Sequence, residues 1–394
     1  MNNISESLQK KDIELADILR THIDKIDYIS TYEKKVINAI TSCRTKALGV
    51  HKICKCDHCA HIEVLYNSCR NRHCPKCQGS NGFKWVNQRL KDLLPVQYFH
   101  VVFTIPHVLN DIILYNKEIG YNLLFKTVSQ TLKETALTKK NLGAKIGFIE
   151  VLHTWDQQLN FHPHIHCIVA GGGIALKNNK WINCKKKYLI NNHILSEVFQ
   201  GKFLDYLEKS YNKKRLIFTG ELSYLNDGSR FKDILKKSCE HNWVVYCKKP
   251  FAGPLQVFNY LAQYTHRVGI SNKRILSMEN DKVTFSWKDR VNNYEKKTTV
   301  IDAVLFSKRF LLHILPKGFM RIRYYGILGN PVCKKNIETC RQLLKEAGVE
   351  DVDRVMDSIN NFINNYKEKY LFSCPVCKEG KLIEIDTKGN IRAP

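Results

Sequence analysis

The sequence predicts an α+β protein of two or three domains, and three observations lead to this prediction. The chain has 394 residues, which is too many for one small core. Strand-like runs rich in aromatic and β-branched residues alternate with segments of helical periodicity. Residues 49–80 are rich in Cys and His and poor in core residues, so we expect a metal to replace an apolar core there.

The elements follow from periodicity and from turn residues. Helical spacing predicts helices within residues 8–48, 110–138, 192–216 and 255–268. The tail, 333–394, is predicted to begin with a helix and to end in a small Cys-containing segment. Strands are predicted at 98–105, 147–155, 164–170, 243–247 and 319–328, with a hairpin over 274–288 around Asn280-Asp281. The polar turn after residue 155 indicates a second hairpin, and we expect Gly171-Gly172-Gly173 to end its second strand.

The charge indicates a polyanionic partner. There are 62 Lys and Arg against 37 Asp and Glu, a net charge of +25, and the pI is near 9.4. The cations are spread along the chain, which favours nucleic acid over a membrane surface. The chain contains no run of about 18 apolar residues and its N-terminus has no signal-peptide core, so we expect a cytoplasmic protein without a membrane partner.

Cysteine usage predicts structural zinc. Seven of the 15 cysteines fall between Cys43 and Cys77, and without a signal peptide such clustering favours metal over disulfides. Two CxxC hooks, Cys56/Cys59 and Cys74/Cys77, supply the four thiolates of one closed tetrahedral site. A second ion is possible, and the spare ligands are Cys54, Cys69, His73, His58 and His61. The alternative is a set of reduced cysteines without metal.

A single hook, Cys374-x2-Cys377, stands near the other end of the chain, where Cys333 and Cys340 could complete a further site. The N-terminal hooks are accompanied by Arg70, Arg72 and Lys76. A zinc module with such cations is typical of a nucleic-acid contact, although a protein-binding module is the alternative.

Alternate histidines on a strand predict a second kind of metal site. In the segment His162-Pro163-His164-Ile165-His166 the three imidazoles share one face, because strand residues two apart point the same way. Two of them can chelate one divalent ion and leave positions open for phosphate oxygens. A third protein ligand is expected; Gln157 is the first candidate, and His162, Asp156 and Gln263 are rivals.

Paired tyrosines predict a nucleophile. Tyr260, Tyr264 and Arg267 fall on one helix face, since residues three or four apart are neighbours. A phenol has a reference pKa of about 10, and a nearby metal or cations such as Lys248, Lys249, His266 and Arg267 would favour the phenolate. We also expect Lys248, Lys249 and Arg267 to contact DNA. The alternative is ordinary packing of two amphipathic side chains.

These blocks together resemble one family. The segments are NSCRNRHCPKCQ (67–78), FTIPH (103–107), LHTWDQQLNFHPHIHCIVAGGGI (152–174), KPFAGPLQVFNYLAQYTHRVGISN (249–272) and LPKGFMRIRYYGILGN (315–330). They are similar to the bacterial rolling-circle transposases of the HUH superfamily, the insertion-sequence group with paired tyrosines and an N-terminal zinc-binding domain.

The resemblance implies an antiparallel sheet flanked by helices, with His164 and His166 holding Mg²⁺ or Mn²⁺ and with Tyr260 and Tyr264 as nucleophiles. The domains it implies are a helical segment at 1–48, a zinc-binding domain at 49–95, a catalytic domain at 96–330 and a helical tail at 331–394. One departure is Asp156, which stands where a glycine is expected.

The implied activity is nicking and rejoining of single-stranded DNA at insertion-sequence ends and at target DNA, through a 5′-phosphotyrosine intermediate. The partners would be that DNA and the host replication machinery, with the protein associated with the nucleoid when bound. The alternatives are a plasmid replication initiator or relaxase, a metal-dependent phosphodiesterase that uses water, and a non-catalytic zinc-dependent DNA-binding relic.

Overall fold

The computed structural model describes residues 13–78, 92–185, 189–241, 243–248, 267–289, 292–348, 357, 361 and 373–385. The predicted tyrosine helix lies almost wholly outside these residues, and so do four residues with predicted roles: Tyr260, Tyr264, Gln263 and Lys249.

The described elements alternate between helix and strand. The helices are α1 (Leu15–His22), α2 (Thr31–Ser42), α3 (Asn110–Tyr115), α4 (Lys117–Leu137), α5 (Asn192–Asn212), α6 (Gly228–Glu240), α7 (Ala303–Leu312) and α8 (Cys333–Glu346). The strands are β1 (Val50–Cys56), β2 (Ile62–Tyr66), β3 (Tyr98–Thr104), β4 (Ala144–Trp155), β5 (Phe161–Ala175), β6 (Trp181–Asn183), β7 (Val244–Cys247), β8 (Ile275–Glu279), β9 (Lys282–Asp289), β10 (Glu295–Asp302), β11 (Ile322–Gly326) and β12 (Leu382–Ile385).

A six-stranded antiparallel sheet forms the centre of the protein. Its order is β11-β4-β5-β3-β7, with β6 paired to the far end of β5. The predicted hairpin is confirmed as β4 and β5, joined by residues 156–160. The predicted α+β class with an antiparallel sheet and flanking helices is therefore confirmed.

The two faces of this sheet have different roles. Alternate residues of β5 such as Ile165, Cys167 and Val169 face a core that α4 and α5 cover. Successive strand side chains point to opposite faces, so His164 and His166 lie on the other face. Part of that second face is covered by α8, whose Ile337, Cys340 and Leu344 pack there, and the remainder forms the candidate site. No helix formed by the described residues is long and apolar enough to cross a membrane.

A second core joins the N-terminal helices to a smaller sheet. The strands β8, β9 and β10 form this sheet, and α1, α2 and α7 pack against it around Phe285 and Phe306. The predicted hairpin is confirmed: Asn280 and Asp281 have positive φ, as a two-residue turn between twisted strands requires. Its third strand, β10, was not predicted.

A third sheet connects the two ends of the chain. The hairpin of β1 and β2 is extended by β12, which pairs antiparallel with β1 from Ile53 opposite Ile385 to Cys56 opposite Leu382. Sequence reasoning predicted neither this strand nor its partner.

The prediction that Gly171-Gly172-Gly173 ends a strand was wrong, because β5 continues to Ala175. Each glycine lies where a neighbour comes too close for a side chain. A Cβ would lie 2.6 Å from the carbonyl oxygen of Gln97 at Gly171, and 2.5 Å from that of Lys145 at Gly173. The glycine run therefore permits close pairing and does not end the strand.

Gly326→Ala should destabilise the fold by at least about 3 kcal/mol, because it combines an unfavourable φ with a steric clash. Gly326 has φ +62°, and its Cβ would lie 1.9 Å from the carbonyl oxygen of Ile146 in β4. Gly318→Ala is the matched control, since Gly318 has φ +76° but nothing within 4 Å; it should cost about 1 kcal/mol. Chemical denaturation measures both, and equal losses would show that the clash contributes nothing.

Candidate metal centre and basic cavity

Three imidazoles from two neighbouring strands converge on one point. His164 and His166 come from β5 and His153 from β4, and their ligand nitrogens all lie within 4.8 Å of one another. The register brings them together, because His153 pairs with His164 and Val151 with His166. All three residues are buried. Sequence reasoning missed His153; the signal available was a single histidine on the same face of the preceding predicted strand.

Hydrogen bonds orient two of these rings. His164 donates from Nδ1 to the carbonyl oxygen of His162 at 2.7 Å, which leaves its Nε2 unprotonated in the neutral ring. Nδ1 of His166 lies 2.8 Å from Nε2 of His100, on β3. Such second contacts orient histidine metal ligands. His100 is thus a further site residue that the sequence patterns did not indicate.

The donor set fits a divalent transition-series ion. The Nε2 atoms of His164 and His166 are 3.1 Å apart, close to the separation of about 3 Å between adjacent ligands of an octahedral ion with bonds of about 2.1 Å. Neutral imidazoles suit such ions better than Mg²⁺, which prefers oxygen. The three imidazoles therefore fit a divalent ion of the transition series better than Mg²⁺.

The histidines lie at the wall of an open cavity of about 390 Å³. Its other lining residues include the cations Arg267 and Lys288 and the aromatic residues Trp155 and Trp287. Trp287 and Lys288 belong to β9, so the second sheet supplies one wall. The cavity thus combines a metal-binding set, positive charge and aromatic surface.

The loop at residues 156–160 places the other predicted ligands. Gln157 and His162 line the cavity, and Gln157 stays a predicted ligand. Asp156 also lines it, but its carboxylate accepts hydrogen bonds from the backbone of Gln158 and Asn160, both at 2.8 Å. This interaction explains an aspartate at a position where a glycine was expected, because the carboxylate closes the turn.

Residues from the second core anchor the same loop. Arg274 donates to the carbonyl oxygen of Gln157, and Arg309 to that of Gln158 at 3.1 Å. His313 donates from Nε2 to the carbonyl oxygen of Leu159 at 3.1 Å, and its Nδ1 lies 3.2 Å from Thr154 Oγ1. Burial lowers the pKa of His313 to about 4, so this ring is neutral at pH 7.

The cysteines form two groups of four, which corrects the predicted single site. Cys74 and Cys77 join Cys43 and Cys69, whereas Cys56 and Cys59 join Cys374 and Cys377. The predicted set of Cys56, Cys59, Cys74 and Cys77 is wrong as one site because the β1–β2 hairpin separates the two hooks. Its seven-residue first strand spans about 20 Å. We name these groups the base cluster (Cys43, Cys69, Cys74, Cys77) and the tip cluster (Cys56, Cys59, Cys374, Cys377).

Of the further zinc ligands suggested by the sequence, one joins a cluster and the others do not. Cys69 belongs to the base cluster, but Cys54 and His73 belong to neither. Burial lowers the pKa of His73 to about 3. The suggestion that Cys333 and Cys340 complete the C-terminal hook was wrong, since Cys340 is buried among apolar residues on the face of α8 that packs against the sheet.

The base cluster fits a structural metal ion. Its Sγ atoms lie 3.4 Å apart for Cys43 and Cys77 and 3.6 Å apart for Cys69 and Cys77. The hydrogen bond with the Cys74 thiol is the largest cause that lowers the pKa of Cys69 to about 5, and the same hydrogen bond raises the pKa of Cys74. The four thiols therefore titrate as a coupled group in which Cys69 is the first thiolate.

The predicted DNA-contacting cations have different surroundings. Arg72 donates to the carbonyl oxygens of Phe319 and Pro316, and Lys76 pairs with Glu14 at 2.5 Å. These two charges are therefore used inside the protein. Arg70 and Arg267 are exposed, and Lys248 follows the edge strand β7.

Comparisons with known proteins agree on one family. Residues 147–336 match the family described as "Putative transposase", and residues 15–105 match "Transposase zinc-binding domain". The chain is 40% identical over 392 residues to "Putative transposase y4qJ" of Sinorhizobium fredii (strain NBRC 101917 / NGR234), covering 97% of each chain. It is 27% identical over 340 residues to "Transposase for insertion sequence element IS801" of Pseudomonas savastanoi pv. phaseolicola, covering 86% of this chain and 80% of that protein. No solved structure matches the chain.

His153→Ala should weaken Mn²⁺ binding more than His100→Ala, because His153 offers a ligand nitrogen and His100 orients His166. Loss of an orienting contact typically costs about 10- to 100-fold in affinity. Isothermal titration with Mn²⁺ measures both, with the exposed His193→Ala as the control. If Gln157→Ala costs more than His153→Ala, the carboxamide and not the third imidazole is the ligand.

His313 should make the protein less stable in mild acid. Its folded pKa of about 4 lies below the usual 6.5, so the unfolded chain binds the proton first and stability falls as the pH drops from 6.5 towards 4. Between pH 7 and pH 5 this lowers the free energy of unfolding by about 2 kcal/mol. His313→Gln should remove that part of the pH dependence in urea titrations, whereas the exposed His193→Gln should not. Parallel curves for the wild type and His313→Gln would refute this assignment.

Proposed function

Because this chain belongs to the IS91- and IS801-type transposases, a rolling-circle family of the HUH superfamily, we propose that it nicks and rejoins single-stranded DNA at insertion-sequence ends. The single observation that supports this most is the convergence of His153, His164 and His166 at the wall of an open, positively charged cavity. Such a cavity suits a phosphodiester better than an apolar ligand.

His153, His164 and His166 would hold the divalent ion, Mg²⁺ or Mn²⁺, which when bound offsets negative charge on the oxygens of the reacting phosphate. The contacts of His162 and His100 keep two of the rings in place. The imidazoles are thus oriented before the substrate arrives, which reduces the reorganisation needed during the reaction.

The cavity walls would bind the strand on either side of the scissile phosphate. Arg267 and Lys288 supply positive charge for the backbone, and Trp287 offers a ring for base stacking. The indole of Trp287 is held by its Nε1 hydrogen bond to Thr299 Oγ1 at 2.8 Å. Arg70, Lys248 and Lys249 would extend the contact with DNA beyond the cavity.

The proposed chemistry uses Tyr260 and Tyr264 as nucleophiles. One phenol loses its proton and its oxygen attacks phosphorus, which forms a 5′-phosphotyrosine bond and breaks the bond to the 3′ oxygen. That oxygen takes up a proton and becomes a free 3′-OH, from which host replication can extend the strand. A 3′-OH can reverse the reaction and rejoin the strand, so the phosphotyrosine bond conserves the energy of the original ester.

The Tyr260→Phe, Tyr264→Phe double variant should form no covalent complex with DNA, because neither position retains a phenol oxygen. Labelled single-stranded DNA carrying the element ends, incubated with Mn²⁺, gives a labelled protein band on a denaturing gel for the wild type. Tyr224→Phe is the matched control, since Tyr224 is exposed and lies in a short helical segment that contributes nothing to the cavity.

Two other results would contradict the proposal. Cut DNA without a covalent adduct in the wild type would indicate a nuclease that uses water. DNA binding without any cutting would indicate an inactive relic.

His164→Ala should lose cutting while it retains DNA binding; equal loss of both would indicate a structural role for His164.

A further inference from the structure

We propose that the tip cluster binds a second structural zinc ion, which fastens the C-terminal segment 373–385 to the N-terminal hairpin. Cys56 and Cys59 belong to the hairpin, and Cys374 and Cys377 lie more than 300 residues later in the chain. The family region "Transposase zinc-binding domain" ends at residue 105, so it contains only half of these ligands.

The sulfur positions agree with a tetrahedral ion. The Sγ atoms of Cys56 and Cys377 are 3.7 Å apart, and those of Cys59 and Cys374 are also 3.7 Å apart. Four thiolates with zinc–sulfur bonds of about 2.3 Å have their sulfur atoms about 3.8 Å from one another. A disulfide would need about 2.05 Å. The separations therefore match ligands of a shared ion.

The two hooks have similar backbone structure. In the first, the backbone N–H groups of His58 and Cys59 donate to Cys56 Sγ at 3.4 and 3.5 Å. In the second, Val376 donates to Cys374 Sγ at 3.4 Å and Gly380 to Cys377 Sγ at 3.3 Å. Hydrogen bonds of this kind stabilise thiolates.

A residue with positive φ follows each hook, Ala60 at +57° and Lys378 at +62°. This turn lets the chain fold back over the sulfur atoms in both halves. The halves thus present two thiols each in the same manner, as expected for two halves of one site.

Hydrogen bonds and close packing around the tip cluster also join its two hooks directly. Lys381 donates its backbone N–H to Asp57 Oδ1 at 2.7 Å, and the backbone N–H of Asp57 donates to the carbonyl oxygen of Lys381 at 3.1 Å. Gly380 lies against Cys56, where an added Cβ would be 2.4 Å from Sγ. Glycine at this position therefore allows the two hooks to approach.

The described part of the C-terminal segment buries little surface. Between residues 373 and 385 only Cys374 and Gly380 are buried, and β12 is four residues long. So small a buried area cannot offset the conformational entropy of ordering the segment. A metal ion with four thiolate ligands supplies the missing free energy, as in other small metal modules.

The test is the zinc content of the full-length protein, measured by inductively coupled plasma mass spectrometry. The wild type should contain two zinc ions per chain, and the Cys374→Ser, Cys377→Ser double variant should contain one. The matched control is Cys239→Ser, Cys333→Ser, which also removes two thiols but none from either cluster; it should retain two.

A second variant keeps all four thiols. Gly380→Ala places a methyl group against Cys56 Sγ and should release one of the two zinc ions faster to a chelator, with the other unchanged. Retained Mn²⁺ binding at the distant histidines would show that both variants are folded.

One zinc ion in both the wild type and the double variant would overturn the proposal, as would a mass that reveals disulfides among these four cysteines. Loss of all zinc in the folded double variant would also overturn it, because the two sites would then not be separate.

Discussion

The antiparallel register of β4 and β5 is the constraint on which the candidate site depends. It places His153 opposite His164 and Val151 opposite His166, so the three imidazoles share one face of the central sheet. A slip of one residue would move the β4 side chain to the opposite face. The loop at 156–160 fixes that register, and Arg274, Arg309 and His313 hold the loop from outside the sheet. The second core therefore maintains the geometry of a site to which its described residues give no metal ligand.

Successive side chains of β4 and β5 point to opposite faces of the sheet, and ionisable groups have different surroundings on the two faces. Glu150 lies between the site-facing positions of β4 and faces the helices, opposite Cys167. Burial raises its pKa well above the usual value, and Arg323 opposes this only in part, so the surroundings of Glu150 disfavour the charged carboxylate. The histidines on the other face are also buried, but they have polar partners and border a cavity open to solvent. The cavity face is therefore the face suited to a charged ligand.

Sequence reasoning succeeded where the determining interactions are local. The strand that carries His164 and His166, the hairpin before it and the turn at Asn280-Asp281 follow from periodicity and turn chemistry within a few residues. It failed where distant segments meet. His153 is a single histidine in a strand, and only the register reveals its role. Cys56 has a partner 321 residues away, so the spacing of hooks along the chain suggested the wrong grouping. The glycine run after β5 indicated a strand end because the sequence does not reveal how closely Gln97 and Lys145 approach.

The two cysteine clusters have different consequences because they lie at opposite ends of one hairpin. An isolated hairpin is marginally stable in water, and this one exposes Val50, Ile62 and Val64. The base cluster is continuous with the second core, where Cys43, Cys74 and Cys77 pack near apolar residues of α1 and α2. Loss of a metal there would weaken the core that anchors the loop at 156–160, and hence the histidines. Among the described residues the tip cluster belongs to none of the apolar cores, so loss of its ion would release β12 and leave the central sheet intact. Zinc in this protein would thus have two separable roles, support of the catalytic geometry at the base of the hairpin and retention of the C-terminal segment at its tip.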